Sequence, residues 1–487
     1  MSSNKQTHTQ MIYRVLTNTP VKERKKREQQ EQSKRRIRST SSPISALSPM
    51  SANAATAVAS KSKTMLEILN EDTMRRIALK DLLSLLKYKL RDWIPIDKLT
   101  INISDNHNAI DFLSSPSPEN KTLIDKLINY PKLSNNTNPD AIHLLRLRYQ
   151  FEKSGSVSAK DRNRIAWLDV AKNPHLFELY KDKIEDNTVI TDAEWERLSG
   201  NPKAIKMVLA LAALAALAKT TGRKIDMYGL SGNTSTRAMK YLISQEDKKG
   251  IYWSRLSANT NPNAIKFLSL PENYDNIDWE QLSGNSNVNA VKLLRKKWKE
   301  EKKLMETDMK GYNALKKEGD LIHWNIVSKN TNKYAIRLLR KKIAEDKKMA
   351  SALQAPKKGK VSEIENVDWA NLSDNPSPEA LLLLKENIEK INWKVLCGNI
   401  NPDVIDLLRE RLKEKPSDII WEVLSGSQNP RAIELLEENK EKIHWGEFSS
   451  NTSLRAINLL RDRVENEKSA GISWFKLSAN PSIFTIA

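Results

Sequence analysis

Six histidines and one cysteine are the side chains in this chain best suited to ligate a metal or to act as nucleophile or general base. Closely spaced, they would predict a zinc site or cysteine–histidine catalysis. They are instead scattered, and the sequence has no phosphate-binding loop, dinucleotide fingerprint, zinc spacing or serine-centred elbow. We therefore expect no enzyme, no metal, no cofactor and no small-molecule substrate. The histidines are His8, His107, His143, His175, His323 and His444.

A phrase built around tryptophan recurs along the chain. It reads Ile277-Asp278-Trp279, then Leu282-Ser283 and Asn285, and it continues to an apolar stripe ending at Leu293-Leu294. Such self-similarity at a period of roughly 20–50 residues indicates a repeat architecture. Ten of the twelve tryptophans occupy this slot: Trp167, Trp195, Trp253, Trp279, Trp324, Trp369, Trp393, Trp421, Trp445 and Trp474. Weaker units place Thr100, Tyr130 and Met227 there, which makes about thirteen units.

Each unit reads as two helices. Asp, Asn, Ser or His before the slot suits the N-cap of a short first helix. A glycine often follows that helix, where a left-handed C-cap is expected, and Asn-Pro then suits the start of a second helix. The capping residues are Asp226, Asp278, His323, Asp368, Asn392, His444 and Ser473; the glycines are Gly200, Gly232, Gly284, Gly398 and Gly426. The Asn-Pro pairs begin at Asn201, Asn261, Asn401 and Asn429.

Such a pair of helices is too small to bury its own core, so stacking on neighbours is expected to bury the tryptophans and the Ile/Leu stripe. The predicted fold is all-α, an α-solenoid of about thirteen two-helix repeats over residues 95–487, with a leading helical cap at 61–94 and an extended arm at 1–60. Slots are mostly 24 to 32 residues apart. Two gaps of 45 residues predict insertions or extended second helices near 298–321 and 341–365.

The N-terminal arm carries a concentrated positive charge. The chain has a net charge of +20, and residues 1–60 hold eleven Lys or Arg against three Glu. Neither this basic cluster nor the uncharged Ser39–Ser60 stretch can bury enough apolar area to fold alone. The arm is read as a solubilising tail, a basic contact to nucleic acid or an acidic surface, or a segment running over neighbouring subunits. Its candidate partner-binding residues are Lys22, Arg24, Lys25, Lys26, Arg27, Lys34, Arg35, Arg36 and Arg38.

Three further features bear on location and on partners. The basic stretches Leu294–Lys299 and Leu339–Lys342 are mixed with acidic residues and read as solvated helix faces. The longest apolar run, Met207–Ala218, has 12 residues and reads as a buried second helix, not a membrane span. Cys397 stands where other units carry Ser, so we expect a near-isosteric replacement at a helix end. A single cysteine allows no disulfide within the chain, so we also expect assembly in a reducing compartment.

The phrase Ile-x-Trp-x-x-Leu-Ser-x-Asn-Pro-x-Ala-Ile-x-Leu-Leu, as at Trp195 to Val208 or Trp253 to Leu268, resembles short helical repeats of large nucleocytoplasmic DNA viruses such as chloroviruses and mimiviruses. The resemblance covers roughly residues 95–487; the first units and the two long gaps depart from it. Several icosahedral members of this group support a double-jelly-roll major capsid protein with a network of minor capsid proteins. A helical-repeat body with an extended arm looks like a part of that network.

This resemblance implies a structural virion protein, a minor capsid component that links or scaffolds capsomers beneath the shell through its repeat body and arm. The implied partners are the major capsid protein and other minor capsid proteins, with the arm reaching a neighbouring subunit, an acidic membrane surface or nucleic acid. The implied location is the inner face of the capsid in the virion, and the host cytoplasm during assembly. Two alternatives stay open: a nucleic-acid-associated virion core protein, and a protein-binding adaptor outside the virion.

Overall fold

A computed structural model describes residues 88–158, 161–217, 224–245, 248–352, 367–466 and 469–486. Helix predominates within these ranges, which confirms the helical part of the predicted fold. The described strands, Tyr88–Leu90 and Phe484–Ile486, pair in a two-stranded sheet. The chain divides into two units, the larger formed by Leu90–Val208 and Lys224–Thr485. Of the smaller, the described residues are 88–89, 209–217 and 486, and 209–217 are helical.

A short helix begins at or next to each tryptophan slot, which we call position 0 of its unit, except that the helix containing Trp195 begins three residues earlier, at Asp192. The first helices are Ile101–Asp105 (a 3-10 helix), Tyr130–Asn135, Trp167–Val170, Asp192–Gly200, Met227–Gly232, Trp253–Ser257, Trp279–Ser283, Trp324–Val327, Trp369–Asp374, Trp393–Leu396, Trp421–Gly426, Trp445–Phe448 and Trp474–Ala479.

A second helix follows in each unit up to the one at Trp445, and its length varies from 5 to 20 residues. The second helices are Ile110–Ser114, Ala141–Lys153, Phe177–Glu185, Ile205–Leu217, Thr236–Ile243, Pro262–Leu268, Val288–Thr307, Lys333–Ala352, Pro378–Lys385, Val404–Glu414, Ala432–Glu438 and Leu454–Asn466. Further α-helices are Lys121–Leu127 and Met309–Glu318. Further 3-10 helices are Ile96–Lys98, His107–Ala109, Lys248–Gly250, Pro271–Asn276, Ile388–Lys390, Pro416–Asp418, Lys440–Lys442 and Pro481–Ile483.

The two 45-residue gaps are filled by long helices. The second helices Val288–Thr307 and Lys333–Ala352 each have 20 residues, and Met309–Glu318 adds a further helix to the first gap. The predicted insertions near 298–321 and 341–365 therefore begin as extensions of second helices, and 353–366 lie outside the described residues. Of the predicted leading cap at 61–94, the described residues are a strand followed by a turn.

Side chains start the first helices in the way the sequence predicts. Six of the seven predicted capping residues accept a hydrogen bond from the backbone N–H three residues later, at 2.7 to 3.4 Å. The prediction is wrong for His323, whose ring Nε2 lies 3.2 Å from the Gly319 carbonyl oxygen instead. Gly319 ends the extra helix Met309–Glu318, which brings a carbonyl close to this histidine.

The Asn-Pro pairs confirm the predicted caps only in part. Asn261 caps the helix that begins at Pro262, through a 2.8 Å bond from the Asn263 N–H. The other three accept from the N–H two residues later, but their second helices begin several residues further on. Those helices start at Ile205, Val404 and Ala432.

The core is centred on position 3 of the first helix. This residue has no exposed surface in any of the thirteen units, all within the described ranges. The tryptophans vary more: Trp195, Trp279 and Trp324 are buried, and the other seven slot tryptophans are half-buried. The position 3 residues are Ile103, Leu133, Val170, Leu198, Leu230, Leu256, Leu282, Val327, Leu372, Leu396, Leu424, Phe448 and Leu477.

The prediction of left-handed glycine caps is wrong, because none of the five glycines has a positive φ. They occupy position 5, where the next first helix passes close by. A Cβ added at Gly284 would lie 3.3 Å from Ile326 Cγ2, and one at Gly398 would lie 3.3 Å from Val423 Cγ1. Glycine is present there because neighbouring first helices approach closely, not because the backbone needs an unusual conformation.

We predict that Gly229→Ala lowers the free energy of unfolding by about 1–3 kcal/mol, the usual cost of overpacking. A Cβ at this residue would overlap the Glu196 carbonyl oxygen and lie 2.9 Å from the Gly200 nitrogen, both rigid backbone atoms. The matched control is Gly250→Ala, whose Cβ would meet the flexible Met227 side chain at 3.3 Å. Thermal denaturation of both variants checks this, and equal losses would contradict close helix approach as the cause.

Candidate functional site

Position 4 is a serine in eleven of the thirteen units, and all of these serines but the buried Ser199 connect their unit to the next; Ala171 and Cys397 are the exceptions in sequence. The serine hydroxyl accepts the backbone N–H that precedes the next first helix, at 2.9 to 3.2 Å in ten units. In several units the same hydroxyl also donates to the carbonyl at position 0 of its own unit. Ser283 Oγ, for example, donates to the Trp279 carbonyl oxygen at 2.7 Å. The hydroxyl thus satisfies one backbone group in each of two neighbouring units, and burial makes both bonds costly to lose.

An asparagine at position 6 makes the second connection. It occurs in twelve of the thirteen units and is buried in all of them; Ser427 replaces it in the remaining unit. In ten units both N–H groups of the carboxamide donate to the previous unit, to the carbonyls of its positions 4 and 6, at 2.7 to 3.3 Å.

The oxygen of each position 6 carboxamide is also used. In the Trp279 unit, Asn285 Oδ1 accepts the Asn287 N–H at 3.0 Å, while its Nδ2 donates to Ser257 and Asn259 at 2.8 and 3.0 Å. We call this series of serine and asparagine bonds the ladder. In the Trp421 unit, Asn429 takes over the donor role, to Asn399 and Asn401 at 2.9 and 2.6 Å.

The ladder returns to its starting point. Asn106 in the first unit donates to the carbonyls of Ser478 and Asn480 in the last unit, at 3.1 and 2.9 Å. The Thr100 N–H donates to Ser478 Oγ at 3.0 Å, across 378 residues of sequence. Within the larger unit, the hydrogen-bonded series of repeats therefore forms a closed circuit with no free end.

Cys397 occupies position 4 of its unit and takes the part of the serine. Its buried Sγ accepts the Ile420 N–H at 3.4 Å, which confirms the predicted serine replacement at a helix end. Burial raises the pKa of the thiol, so the neutral form is favoured and the group is unsuited to act as a nucleophile.

A cation covers the ring of several slot tryptophans, a feature that the sequence analysis missed. The cation comes from the second helix of the same unit, at position 18 in most cases. Examples are Lys297 over Trp279 at 4.6 Å, Arg411 over Trp393 at 4.7 Å and Arg463 over Trp445 at 4.8 Å from the ring centroid. The aromatic faces are thus engaged within their own units. A recurrent Lys or Arg eighteen residues after Trp was the signal available in the sequence.

One buried ion pair accompanies this pattern. Lys183 Nζ lies 4.0 Å from the Trp167 ring centroid and 2.5 Å from Glu194 Oε1, which also accepts from the Tyr180 hydroxyl at 3.1 Å. Burial lowers the pKa of Lys183, because the charged ammonium loses its water. Burial alone would raise the pKa of Glu194, but its bonds to Lys183 and Thr191 lower it. Every group in this cluster has a partner, so the cluster stabilises packing and offers no free reactive atom.

A polar cavity of about 720 Å³ lies beside the first long insertion. The cavity is lined by Glu301, Lys316, His323, Trp324, Lys342 and Trp369, among others. Glu301 is 6 % exposed, and its Oε1 accepts the Ile322 N–H at 2.8 Å. Burial raises the pKa of Glu301 to about 7.

The sequence-predicted site residues fall into two groups. The nine basic residues of the arm lie outside the described residues, so their role stays a prediction. The ten slot tryptophans line up along the series of repeats and do not converge on one cavity. The described residues contain no cluster of three or more metal-binding side chains and no helix long and apolar enough to cross a membrane. The chain matches no family model, no curated protein and no solved structure.

Closure of the circuit predicts a long-range effect on amide exchange. Ser478→Ala should speed exchange of the Thr100 amide by about tenfold or more, because a hydrogen bond between the last and first units is lost. Ser257→Ala should do the same at the Asp278 amide, within the body of the repeat series. Hydrogen–deuterium exchange with mass spectrometry measures both, with Ser244→Ala at an exposed helix end as the control. A Thr100 amide that already exchanges freely in the unaltered protein would contradict closure.

Burial of Glu301 predicts a pH-dependent stability. A carboxyl whose pKa is higher in the folded chain favours folding below its unfolded pKa, and this contribution is lost as pH rises through about 7. Glu301→Gln should therefore leave stability almost unchanged at pH about 4 and raise it by about 2–3 kcal/mol at pH about 8. Denaturation at several pH values measures the difference. Glu306→Gln, at an exposed position of the same helix, should show no such trend.

Proposed function

We propose that the larger unit is an α-solenoid of about thirteen two-helix repeats whose two ends meet, and that the chain is a structural virion protein of a large DNA virus. In this proposal it is a minor capsid component that links or scaffolds capsomers beneath the shell. The major capsid protein and other minor capsid proteins are its partners, at the inner face of the capsid.

The ladder is the observation that carries the proposal. Its bonds are directed and buried, and they join each described unit to the next, so they fix the spacing between successive first helices. A scaffold must hold several partners at set distances, and a body built in this way suits that task. Several weak contacts on one rigid body combine into strong binding without a deep pocket.

The charge distribution supports a role for the arm. Residues 1–60 are strongly basic, whereas much of the surface charge on the helical body is balanced by ion pairs, as between Arg431 and Asp406 at 2.8 Å. A strongly basic segment gains affinity for acidic surfaces and loses it with added salt. The arm is proposed to reach a neighbouring capsid subunit or the acidic membrane surface beneath the shell.

Cross-linking with mass spectrometry on intact purified particles tests the proposal. We expect links from Lys22, Lys25, Lys26 and Lys34 to capsid subunits, together with links from lysines of the helical body. Deleting residues 1–60 should reduce incorporation by about tenfold, as expected when one of several contacts is removed, while the helical circular dichroism of the body is retained.

A variant with the nine arm cations changed to Gln distinguishes the effect of the arm's charge on incorporation from the effect of its length. If it is incorporated like the unaltered chain, the arm's charge has no part in assembly. Links confined to core or DNA-bound proteins would replace the capsid assignment with the nucleic-acid-associated alternative. Absence of the chain from particles would contradict both and favour an adaptor outside the virion.

A further inference from the structure

A groove runs between the two longest second helices of the larger unit. Val288–Thr307 and Lys333–Ala352 belong to consecutive repeats and pack side by side. Their facing sides enclose a groove of about 720 Å³ that opens to solvent. The other second helices are shorter, so this groove is a departure from the repeat and not a consequence of it.

The floor of the groove is apolar. Val291, Trp298 and Leu338 form its base and are each 8 % exposed or less. Val288 and Tyr334 lie at its mouth and are 43 % and 47 % exposed. Val288 and Tyr334 supply the exposed apolar surface above this buried base, and apolar surface between charged rims is typical of a site that binds another protein segment.

The walls of the groove are cationic. Lys292, Arg295 and Lys299 recur at helical spacing on one wall, and Arg337 and Lys341 stand on the other. The lining contains one carboxylate, Glu345, which already pairs with Lys302 on the opposite helix at 2.7 Å. Arg295, Lys299 and Lys341 form no ion pair with any carboxylate in the described part of the chain.

Other cations of these two helices are paired, including Arg337 on the groove wall, which pairs with Glu379 at 3.2 Å. Away from the groove, Lys296, Lys297, Arg340 and Lys342 each pair with a carboxylate of the chain itself. The groove thus presents three cations, Arg295, Lys299 and Lys341, without a carboxylate partner among the described residues. The sequence analysis interpreted these stretches as solvated helix faces and did not identify the groove.

We propose that the groove binds an acidic, amphipathic segment of a partner protein, with apolar side chains on the floor and Glu or Asp side chains against the walls. Cationic walls beside an apolar floor match such a segment in both charge and hydrophobicity. The basic arm of this chain carries the wrong charge to be the occupant. The assignment stands independently of the capsid role.

Nucleic acid fits the groove less well, because its bases need open aromatic faces. Trp298 is 8 % exposed and packs edge-on against Trp324, with ring centroids 5.5 Å apart. The Tyr334 ring has Lys333 and Arg337 over it, at 5.3 and 5.7 Å from the centroid. An apolar floor would also strip water from phosphates without compensating them.

Fluorescence anisotropy with the full chain tests this. The probe is a labelled helical peptide of about four turns, with Leu at every third or fourth position and Glu elsewhere. The test variant is Arg295→Glu/Lys299→Glu/Lys341→Glu, and a second variant changes the same residues to Gln in case charge reversal disturbs folding. The control is Lys206→Glu/Lys240→Glu/Lys266→Glu, which alters three exposed lysines on other second helices.

We expect the groove variants to bind the peptide about tenfold or more weakly, and the control variant to stay within about twofold of the unaltered chain. Replacing the peptide's leucines with serines should also weaken binding, because the floor is then unused. Equal losses in groove and control variants, or no binding by the unaltered chain, would overturn the proposal. Tighter, groove-dependent binding of a labelled oligothymidine would assign the groove to nucleic acid instead.

Discussion

The buried asparagine at position 6 is the interaction on which the rest of this structure depends. Its carboxamide satisfies two carbonyls of the preceding unit and one N–H of its own, as Asn285 does for Ser257, Asn259 and Asn287. A buried carbonyl without a partner costs about 1–3 kcal/mol, so the chain cannot replace this side chain with an apolar one of similar size at no cost. Apolar burial at position 3 supplies the driving force for stacking. The carboxamide supplies direction, because it can bond well in only one register between neighbours.

Closure of the circuit changes what the ends of the repeat series must do. An open array of repeats needs terminal units with a polar outer face, since its first and last cores would otherwise contact water. In this chain the first unit lies against the last: Asn102 Nδ2 donates to the Phe475 carbonyl at 3.0 Å, and Arg91 Nε donates to the Ser482 carbonyl at 2.9 Å. The described part of the predicted leading cap makes a strand and a turn, and the last unit has the short 3-10 helix Pro481–Ile483 in place of a second helix. Neither end needs a cap of its own.

The sequence predicts features that depend on residues close together in the chain, and it misses features that depend on contacts between units. The N-caps at Asp226 and Asp278 follow from chemistry within four residues, and so does the start of the helix at Pro262. The role of Gly284 was misread because its constraint is the Ile326 side chain, which belongs to the next unit. Of the Asn-Pro asparagines predicted as caps, only Asn201 stands at position 6, and the recurrence of asparagine at that position, as at Asn285 and Asn330, was the signal of a second role. Closure could not be predicted at all, because the contact between Asn106 and Asn480 depends on the summed rotation of every repeat between them.

The ladder also explains where this repeat can vary. Its bonds involve positions 4 and 6 and the residue before position 0, so the second helix can lengthen without disturbing them. Asn330 makes the same two bonds across the first 45-residue gap, at 3.0 and 3.1 Å, as Asn285 makes across a gap of ordinary length. The long helices are therefore additions that the framework tolerates and does not require. The residues of these extensions, such as Lys299 and Lys341 of the groove, therefore need another explanation. Glu301 is buried in the same insertion, so ionisation of its carboxyl destabilises the fold above neutral pH. The ladder does not require a carboxyl at this position. Both features suit a function specific to the long second helices, where the chain departs from the repeat. The repeat itself holds these helices at a fixed position.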